Sequence, residues 1–306
     1  MRVVSLFDGM SCGQLALDKL GIKPTYFASE IDKYAMQVTK ANYPNTHFIG
    51  DVTKVDAKLL PKIDLLLGGS PCQGFSFAGK QLNFDDLRSK LFFEYVRLLK
   101  ELKPKYFLLE NVRMKKESQD IISEYLGVQP IAINSNLVSA QNRYRLYWTN
   151  IPNITQPKDK QINLKDIIED GITDRTKSHC IDANYFKGGN LKSYFEKHRR
   201  QLIFSDEGLC HVGDADLKGH GYVRRVYSPE GKAPSLCASS GGNLEPKILI
   251  ENTTWRKLTP LECERLQTVP DGYTKSVSNT QRYRMLGNGW TVDVISHILS
   301  NMEQNK

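Results

Sequence analysis

The chain has 306 residues, 40% hydrophobic and 25% charged, which is enough to bury a full core and to hold one large domain with a smaller one. It has no apolar run of about 18 residues, which excludes a membrane-spanning helix, and Met1–Phe7 reads as a first strand and not as the core of a cleavable signal. Lys and Arg exceed Asp and Glu by 42 − 34 = 8, a balance that permits a polyanionic partner without specifying one.

In chain order, residues 1–150 alternate strand-like and helix-like segments, the pattern of βαβ units and a mostly parallel sheet. Val3–Phe7 is a predicted strand. The turn Asp8-Gly9-Met10-Ser11-Cys12-Gly13 follows, then a helix over Gln14–Leu20 that Gly21 stops. Tyr26–Ser29 is a second strand ending in Glu30, and a helix is predicted from about Asp32 to Asn42. His47-Phe48-Ile49 leads to Gly50-Asp51-Val52. Ile63–Leu67 reads as a buried strand running into Gly68-Gly69-Ser70-Pro71-Cys72-Gln73-Gly74-Phe75-Ser76. A helix over Phe92–Lys100 precedes the strand Tyr106–Leu109, which ends in Glu110-Asn111-Val112. Ser139–Trp148 alternates like a strand, placing Arg143 and Arg145 on one face. The pattern dissolves over 151–250, which is read as a separate, irregular, β-rich region. Helical spacing resumes over 256–268, with Thr259-Pro260 as cap and first position, and a last helix runs from about Val292 to Met302.

Three features carry chemistry. In open α/β sheets ligands bind beyond the carboxyl ends of the strands. Glu30 and Asp51 close consecutive strands after a glycine turn. There Glu30 is placed to take two ribose hydroxyls and Asp51 to accept from an adenine amino group. A nucleoside-type cofactor fits, S-adenosylmethionine or a dinucleotide, the latter less well because G-x-G-x-x-G is absent. Cys72 sits on a Pro/Gly loop and not among apolar neighbours, the setting of a reactive thiol more than of a buried one. Arg143 and Arg145 together suit a phosphate, an acid or the charge on a ring oxygen. The six cysteines (Cys12, Cys72, Cys180, Cys210, Cys237, Cys263) form no C-x-x-C pair and read as reduced intracellular thiols. His179-Cys180 and Cys210-His211 lack the spacing of a zinc site, so no metal is expected.

The blocks Leu6-Phe7-Asp8-Gly9, Gly68–Ser76, Glu110-Asn111-Val112, Gln141-Asn142-Arg143-Tyr144-Arg145, Leu258–Leu266 and Arg284-Met285-Leu286-Gly287-Asn288-Gly289 resemble, in order, those of the DNA (cytosine-5) methyltransferases. Phe-Asp-Gly in the first block and Val277-Ser278-Asn279 through Trp290 look like the animal de novo branch. The absence of extra reader domains fits a compact bacterial or phage enzyme, nucleoid-associated in the cytoplasm. The resemblance implies a Rossmann-like S-adenosylmethionine-dependent methyltransferase domain with a mostly parallel twisted sheet over 1–150 and 255–306. A smaller irregular β-rich target-recognition domain would span 151–254. It implies methyl transfer from S-adenosylmethionine, leaving S-adenosylhomocysteine, to C5 of cytosine in duplex DNA.

On the same footing, Cys72 is the nucleophile that adds to cytosine C6, Glu110 the acid at N3, and Arg143 and Arg145 supports. Phe7, Asp8, Gly9, Met10, Cys12, Glu30, Ile31, Asp51, Val52, Ser70, Pro71 and Leu91 line the cofactor site, which Asn288, Trp290 and Val292 close. Met10-Ser11-Cys12-Gly13 departs from the Gly-Gly common in bacterial members, and Cys12 is read there as a small packing residue. A cytosine inside the duplex must be extruded, and Gln73–Arg88, hinged at Gly74 and Gly79, is expected to close over it.

Residues 151–250 hold 15 Lys/Arg and 13 Asp/Glu, so a broad basic footprint does not mark the DNA reader. Candidate DNA contacts are Gln73, Ser76 and Arg88, then Arg199 and Arg200 after the Lys187–Lys197 cluster, Arg224 and Arg225, and the Ser240-Gly241-Gly242 turn. A cognate restriction endonuclease acting on the same site is a further candidate partner. Two other readings stay open: a transfer-RNA cytosine-5 methyltransferase and a non-catalytic DNA-binding homologue.

Overall fold

Val3, Val4 and Leu6 are fully buried, as are Leu65, Leu66 and Leu67. Strands apolar on both sides need cover on both faces, so they become the centre of a parallel sheet. The computed structural model describes residues 1–70, 87–205, 211–214, 225–227, 247–248 and 255–303; at 87–89, 192–193, 211–214, 225–227 and 247–248 it describes the backbone alone. Seven strands form the main sheet: β1 (Arg2–Leu6), β2 (Thr25–Ser29), β3 (His47–Phe48), β4 (Leu65–Gly68), β5 (Tyr106–Val112), β6 (Ile131–Asn134) and β7 (Tyr144–Thr149). Their order is β3-β2-β1-β4-β5-β7-β6. The first five run parallel and β7 lies antiparallel between β5 and β6.

The register aligns the strand ends. Leu6 pairs with both Ser29 and Gly68, and Gly68 pairs with Leu109. The turn after β1, Glu30, Gly69-Ser70 and Glu110 therefore leave the sheet along one edge. Helices cover both faces. On one, α1 (Cys12–Lys19) and α2 (Lys33–Asn42) bury Leu15, Leu17 and Val38; on the other, α3 (Leu87–Leu102) and α4 (Lys116–Leu126) bury Phe92, Tyr95 and Ile122 around Trp148. Asp32 caps α2 through Tyr34 N, as its position predicts. α4 and β6 have no counterpart in the sequence-based elements.

Packing does not break at residue 150. Leu164, Ile167, Ile181, Tyr185 and Ile203 lie in the same apolar cluster as Val3 and Leu65. This stretch carries a helix, α5 (Leu191–Lys197), and β8 (Leu202–Phe204), which pairs antiparallel with β12 (Trp255–Lys257). Between them, β9 (His211–Asp214), β10 (Arg225–Tyr227) and β11 (Lys247–Ile248) form a small separate sheet.

The C-terminal part returns to the main sheet through α6 (Pro260–Leu266), α7 (Asn279–Asn288) and α8 (Val292–Leu299). Thr259 and Glu262 form a reciprocal capping box with Pro260 at the first turn. Residues 256–257 are strand and not helix, because Pro260 is tolerated only where a helix begins. Glu262 and Glu264, both fully buried, are paired with Arg256 at 2.8 Å and Arg282 at 3.0 Å. No helix among the described residues is long and apolar enough to cross a membrane.

Gly287 inside α7 marks where this part docks. A Cβ there would lie 2.1 Å from the Asp182 carbonyl carbon and 2.4 Å from Ala183 N. Gly287→Ala forces backbone apart from backbone and is expected to cost about 3 kcal/mol, the upper end of overpacking effects. The urea midpoint measures this, and an unchanged midpoint would show that α7 does not depend on that contact.

Candidate active site

The aligned strand ends enclose a cavity of about 520 Å³ with the C-terminal segment as its far wall, within the roughly 300–1,000 Å³ usual for small-molecule sites. Of the predicted cofactor residues, Phe7, Asp8, Gly9, Met10, Cys12, Glu30, Ile31, Asp51, Val52, Ser70, Leu91, Asn288 and Trp290 line it, as do Glu110, Arg143 and Arg145. Val292 does not: it is fully buried in the core behind the cavity. Pro71, Cys72, Gln73 and Ser76, and so the predicted closing loop, lie outside the described residues, as do Arg224, Ser240, Gly241, Gly242 and the side chains of Arg88 and Arg225.

The first turn is bent sharply. Phe7, Gly9 and Ser11 all have φ near +60°, a conformation costly for the two non-glycine residues. Hydrogen bonds hold it. Asp8 accepts from Ser11 Oγ at 2.6 Å and from Tyr26 OH at 2.7 Å. Glu30 accepts from Gly9 N at 2.7 Å, Ile31 N at 2.7 Å and Asp32 N at 2.8 Å. A carboxylate has about four acceptor positions, so the turn leaves Glu30 one and not two for a ligand. Asp51 accepts from Thr53 N and Oγ1 through one oxygen; those two bonds hold its carboxyl below the usual carboxylate range. Cys12 is 3% exposed at the edge of the apolar core, and burial pushes its thiol up to about 12.

Glu110 leaves β5 with both oxygens engaged. Arg145 Nε meets Oε1 at 3.0 Å, and Trp290 Nε1 donates to Oε2 at 3.1 Å. Burial opposes the Arg145 charge, but Glu110 and Cys180 hold it above the ordinary guanidinium range. Arg143 shares the predicted face but serves differently. It is 4% exposed and donates to the carbonyls of Ile181, Gly287 and Gly289 at 3.0, 3.1 and 2.8 Å. It is bonded to the backbone of the cavity wall and not to Glu110. Arg199 pairs with Asp182 at 3.2 Å, and Arg200 donates to Gly188 O at 2.8 Å.

Several wall residues escaped sequence reasoning. Asn111 Nδ2 reaches Ser70 O and Oγ at 3.4 and 3.3 Å, fastening the turn that leads to Cys72. Its signal was present, since Asn111 directly follows the acid. Gln281, Arg284 and Met285 line the mouth from α7; Arg284 and Met285 belong to the Arg284–Gly289 block that holds Asn288, whereas Gln281 lies outside every block the sequence offers.

The model of the C-5 cytosine-specific DNA methylase family matches residues 1–304. The type II methyltransferase M1.ScrFI of Lactococcus lactis subsp. cremoris is 32% identical over 98% of this chain and 77% of its own length. The type II methyltransferase M.HhaI of Haemophilus parahaemolyticus is 29% identical over 99% of this chain and 94% of its own. Among solved structures, the Entamoeba histolytica methyltransferase EhMeth shares the fold with a TM-score of 0.72 at 16% identity, covering 98% of this chain and 97% of that one.

Asp8 gives the site a pH signature. Burial raises its carboxyl to about 6, against the bonds from Ser11 and Tyr26 that favour the anion. A carboxyl whose folded value exceeds its unfolded one binds its proton more tightly when folded. Its contribution to stability is present below about pH 4 and lost as pH rises through about 6. Asp8→Asn cannot ionise and escapes that loss. Between pH 4 and 7 the stability of Asp8→Asn relative to the unsubstituted chain is expected to improve by about 1–3 kcal/mol. Urea denaturation at both pH values measures it; a pH-independent difference would show that the Asp8 anion carries no penalty.

Proposed function

The chain belongs to the C-5 cytosine-specific DNA methylase family, and on that premise we propose how its own residues carry out methylation of cytosine C5 in a specific duplex sequence. Members of this family take the methyl group from S-adenosylmethionine, which when bound supplies an electrophilic methyl on a sulfonium sulfur. The cavity suits that donor in size and in chemistry. Ile31, Val52 and Met10 offer apolar surface, Asp51 and the free position of Glu30 offer acceptors, and Gly9 offers open space where a Cβ would stand. Glu30 then takes one ribose hydroxyl and Asp51 the adenine amine.

Cytosine C5 is a poor nucleophile while the ring is aromatic. The Cys72 thiolate adds to C6 of the extruded base, forming an S–C6 bond. The C5=C6 electron pair shifts toward N3, which takes a proton from Glu110. C5 is now an enamine carbon and forms its bond to the methyl carbon as that carbon's bond to sulfur breaks, which leaves the sulfur with the electron pair as the thioether of S-adenosylhomocysteine. Loss of the C5 proton to a base, cleavage of the S–C6 bond and return of the N3 proton to Glu110 restore the ring, the thiolate and the acid. Extrusion is required because C6 is shielded in the stack. Residues within 151–254 read the sequence, and both relatives' type II designation supports a restriction endonuclease of the same specificity as a partner.

The observation that carries this reading is the Glu110 carboxylate, gripped on both oxygens at the cavity that the strand-end acids line. Transfer of tritiated methyl groups from S-adenosylmethionine to duplex DNA tests it. Cys72→Ala is expected to lose at least about 10³-fold while still binding the donor, and Glu110→Gln about 10²–10⁴-fold. Full activity in Cys72→Ser would sink the covalent route, and label entering transfer RNA instead of DNA would reassign the substrate. Bisulfite sequencing of DNA from expressing cells then gives the site.

A further inference from the structure

Trp290 stands where the C-terminal segment meets the acid. Its indole is 9% exposed, and Nε1–H donates to Glu110 Oε2 at 3.1 Å. The same nitrogen faces the turn that leads to Cys72: a Cβ on Gly69 would lie 2.9 Å from Trp290 Nε1 and 3.3 Å from Glu110 Oε2. The indole is thus wedged between Gly69 and the carboxylate on β5, and the missing side chain at Gly69 makes room for both.

The backbone around Trp290 is anchored without help from the ring. Arg143 donates to Gly287 O and Gly289 O. Gln267 Nε2 donates to Leu286 O at 2.6 Å and to Gly289 O at 3.2 Å, and Thr291 Oγ1 donates to Gln267 Oε1 at 2.9 Å. None of these bonds uses the indole N–H, so its contribution is separable from the packing that places it.

A carboxylate turns easily about its last torsion. Arg145 alone fixes one oxygen; a second donor on the other oxygen fixes the plane. An indole N–H donates and never accepts, so it cannot take the proton that Glu110 must deliver. It occupies one lone pair of Oε2 and leaves the rest of the carboxyl edge toward the cavity. We infer that Trp290 is a positioning residue for the acid step, holding Glu110 in the plane from which it protonates cytosine N3. This rests on the reading of Glu110 as that acid.

The test compares the full-length wild-type chain, Glu110→Gln and Trp290→Phe, which keeps an aromatic ring and removes the N–H. Two rates are read: methyl transfer, and cofactor-independent release of tritium from 5-³H-cytosine DNA, which reports addition at C6 and protonation of the ring. Trp290→Phe is expected to lower both about 10- to 100-fold, the scale of one hydrogen bond to a charged group. Its KM for S-adenosylmethionine should stay within about twofold of wild type, since the N–H bonds to the acid. Should Trp290→Phe fail to fold, 3-benzothienylalanine at position 290 keeps the two-ring shape with sulfur in place of N–H and is read the same way. Tritium release at the wild-type rate overturns the inference, as does a fall in methyl transfer matched by a rise in the cofactor KM, which would make Trp290 a wall of the cofactor site only. A wild-type chain that methylates no cytosine, or a fully active Glu110→Gln, removes the parent reading and this inference with it. An inactive Glu110→Gln beside a wild-type-like Trp290→Phe removes the inference alone.

Discussion

The site depends on one buried guanidinium. Among the described residues no carboxylate meets Arg143; three carbonyls from two distant stretches and the Cys180 sulfur at 3.4 Å surround it. Burial, together with the neighbouring Arg145, pulls its proton affinity below the ordinary guanidinium range. A cation out of water is costly unless its donors are met, so those carbonyls must arrive together. Their convergence brings the 180–182 stretch and the 287–290 stretch onto the end of β7. The wall of the cavity is therefore fixed by the arginine two residues before the one that grips Glu110.

The strand expected over 139–148 begins only at Tyr144, so Arg145 lies in β7 and Arg143 just before it; both guanidiniums nevertheless turn to the same side, to Cys180, with Arg143 the deeper. The deeper holds backbone and the shallower holds the acid, with Cys180 Sγ between them, 3.4 Å from Arg143 Nη1 and 4.0 Å from Arg145 Nη2. The acids at the strand ends divide labour the same way. Asp8, buried, braces the first turn and is pushed toward its neutral form. Asp51, stabilised by its own cap bonds, stays ionised at the cavity rim. Glu30 spends one acceptor position on Gly9 N of the turn and two on the N–H groups of Ile31 and Asp32 that follow it. Three carboxylates thus differ in role because burial and local N–H supply differ.

The edge of the sheet was legible because its strands are apolar on both faces and are punctuated by glycine and acids. Cys12 was legible as packing, and Thr259-Pro260 as a helix start. What escaped depends on partners far along the chain. The alternation of 143 and 145 gave the shared face but not the carbonyls of residues 287 and 289 that bury Arg143. Trp290 was placed at the cofactor, while its bond to Glu110 spans 180 residues. α4 buries only Ile122, Ser123 and Leu126, too thin a stripe to register as periodic. α7 opens on Asn279-Thr280-Gln281-Arg282, polar throughout. The readings of 206–210, 215–224, 228–246 and 249–254 fall outside the described residues.

Residues 151–205 lacked a period because nothing periodic holds them. They are fastened point by point. Leu164, Ile167, Ile181 and Tyr185 enter the main core singly. Lys177 Nζ donates to the carbonyls of Asn136, Ser139 and Ile162. Ile181 N donates to Gln141 Oε1 at 2.9 Å while its carbonyl accepts from Arg143, and Asp182 closes on Gly287. Polar anchors of this kind give no hydrophobic rhythm, yet a site is held in place by such bonds as firmly as by packing. The stretch between the sheet and the small three-stranded sheet is thus tied to the same arginine that sets the cavity wall.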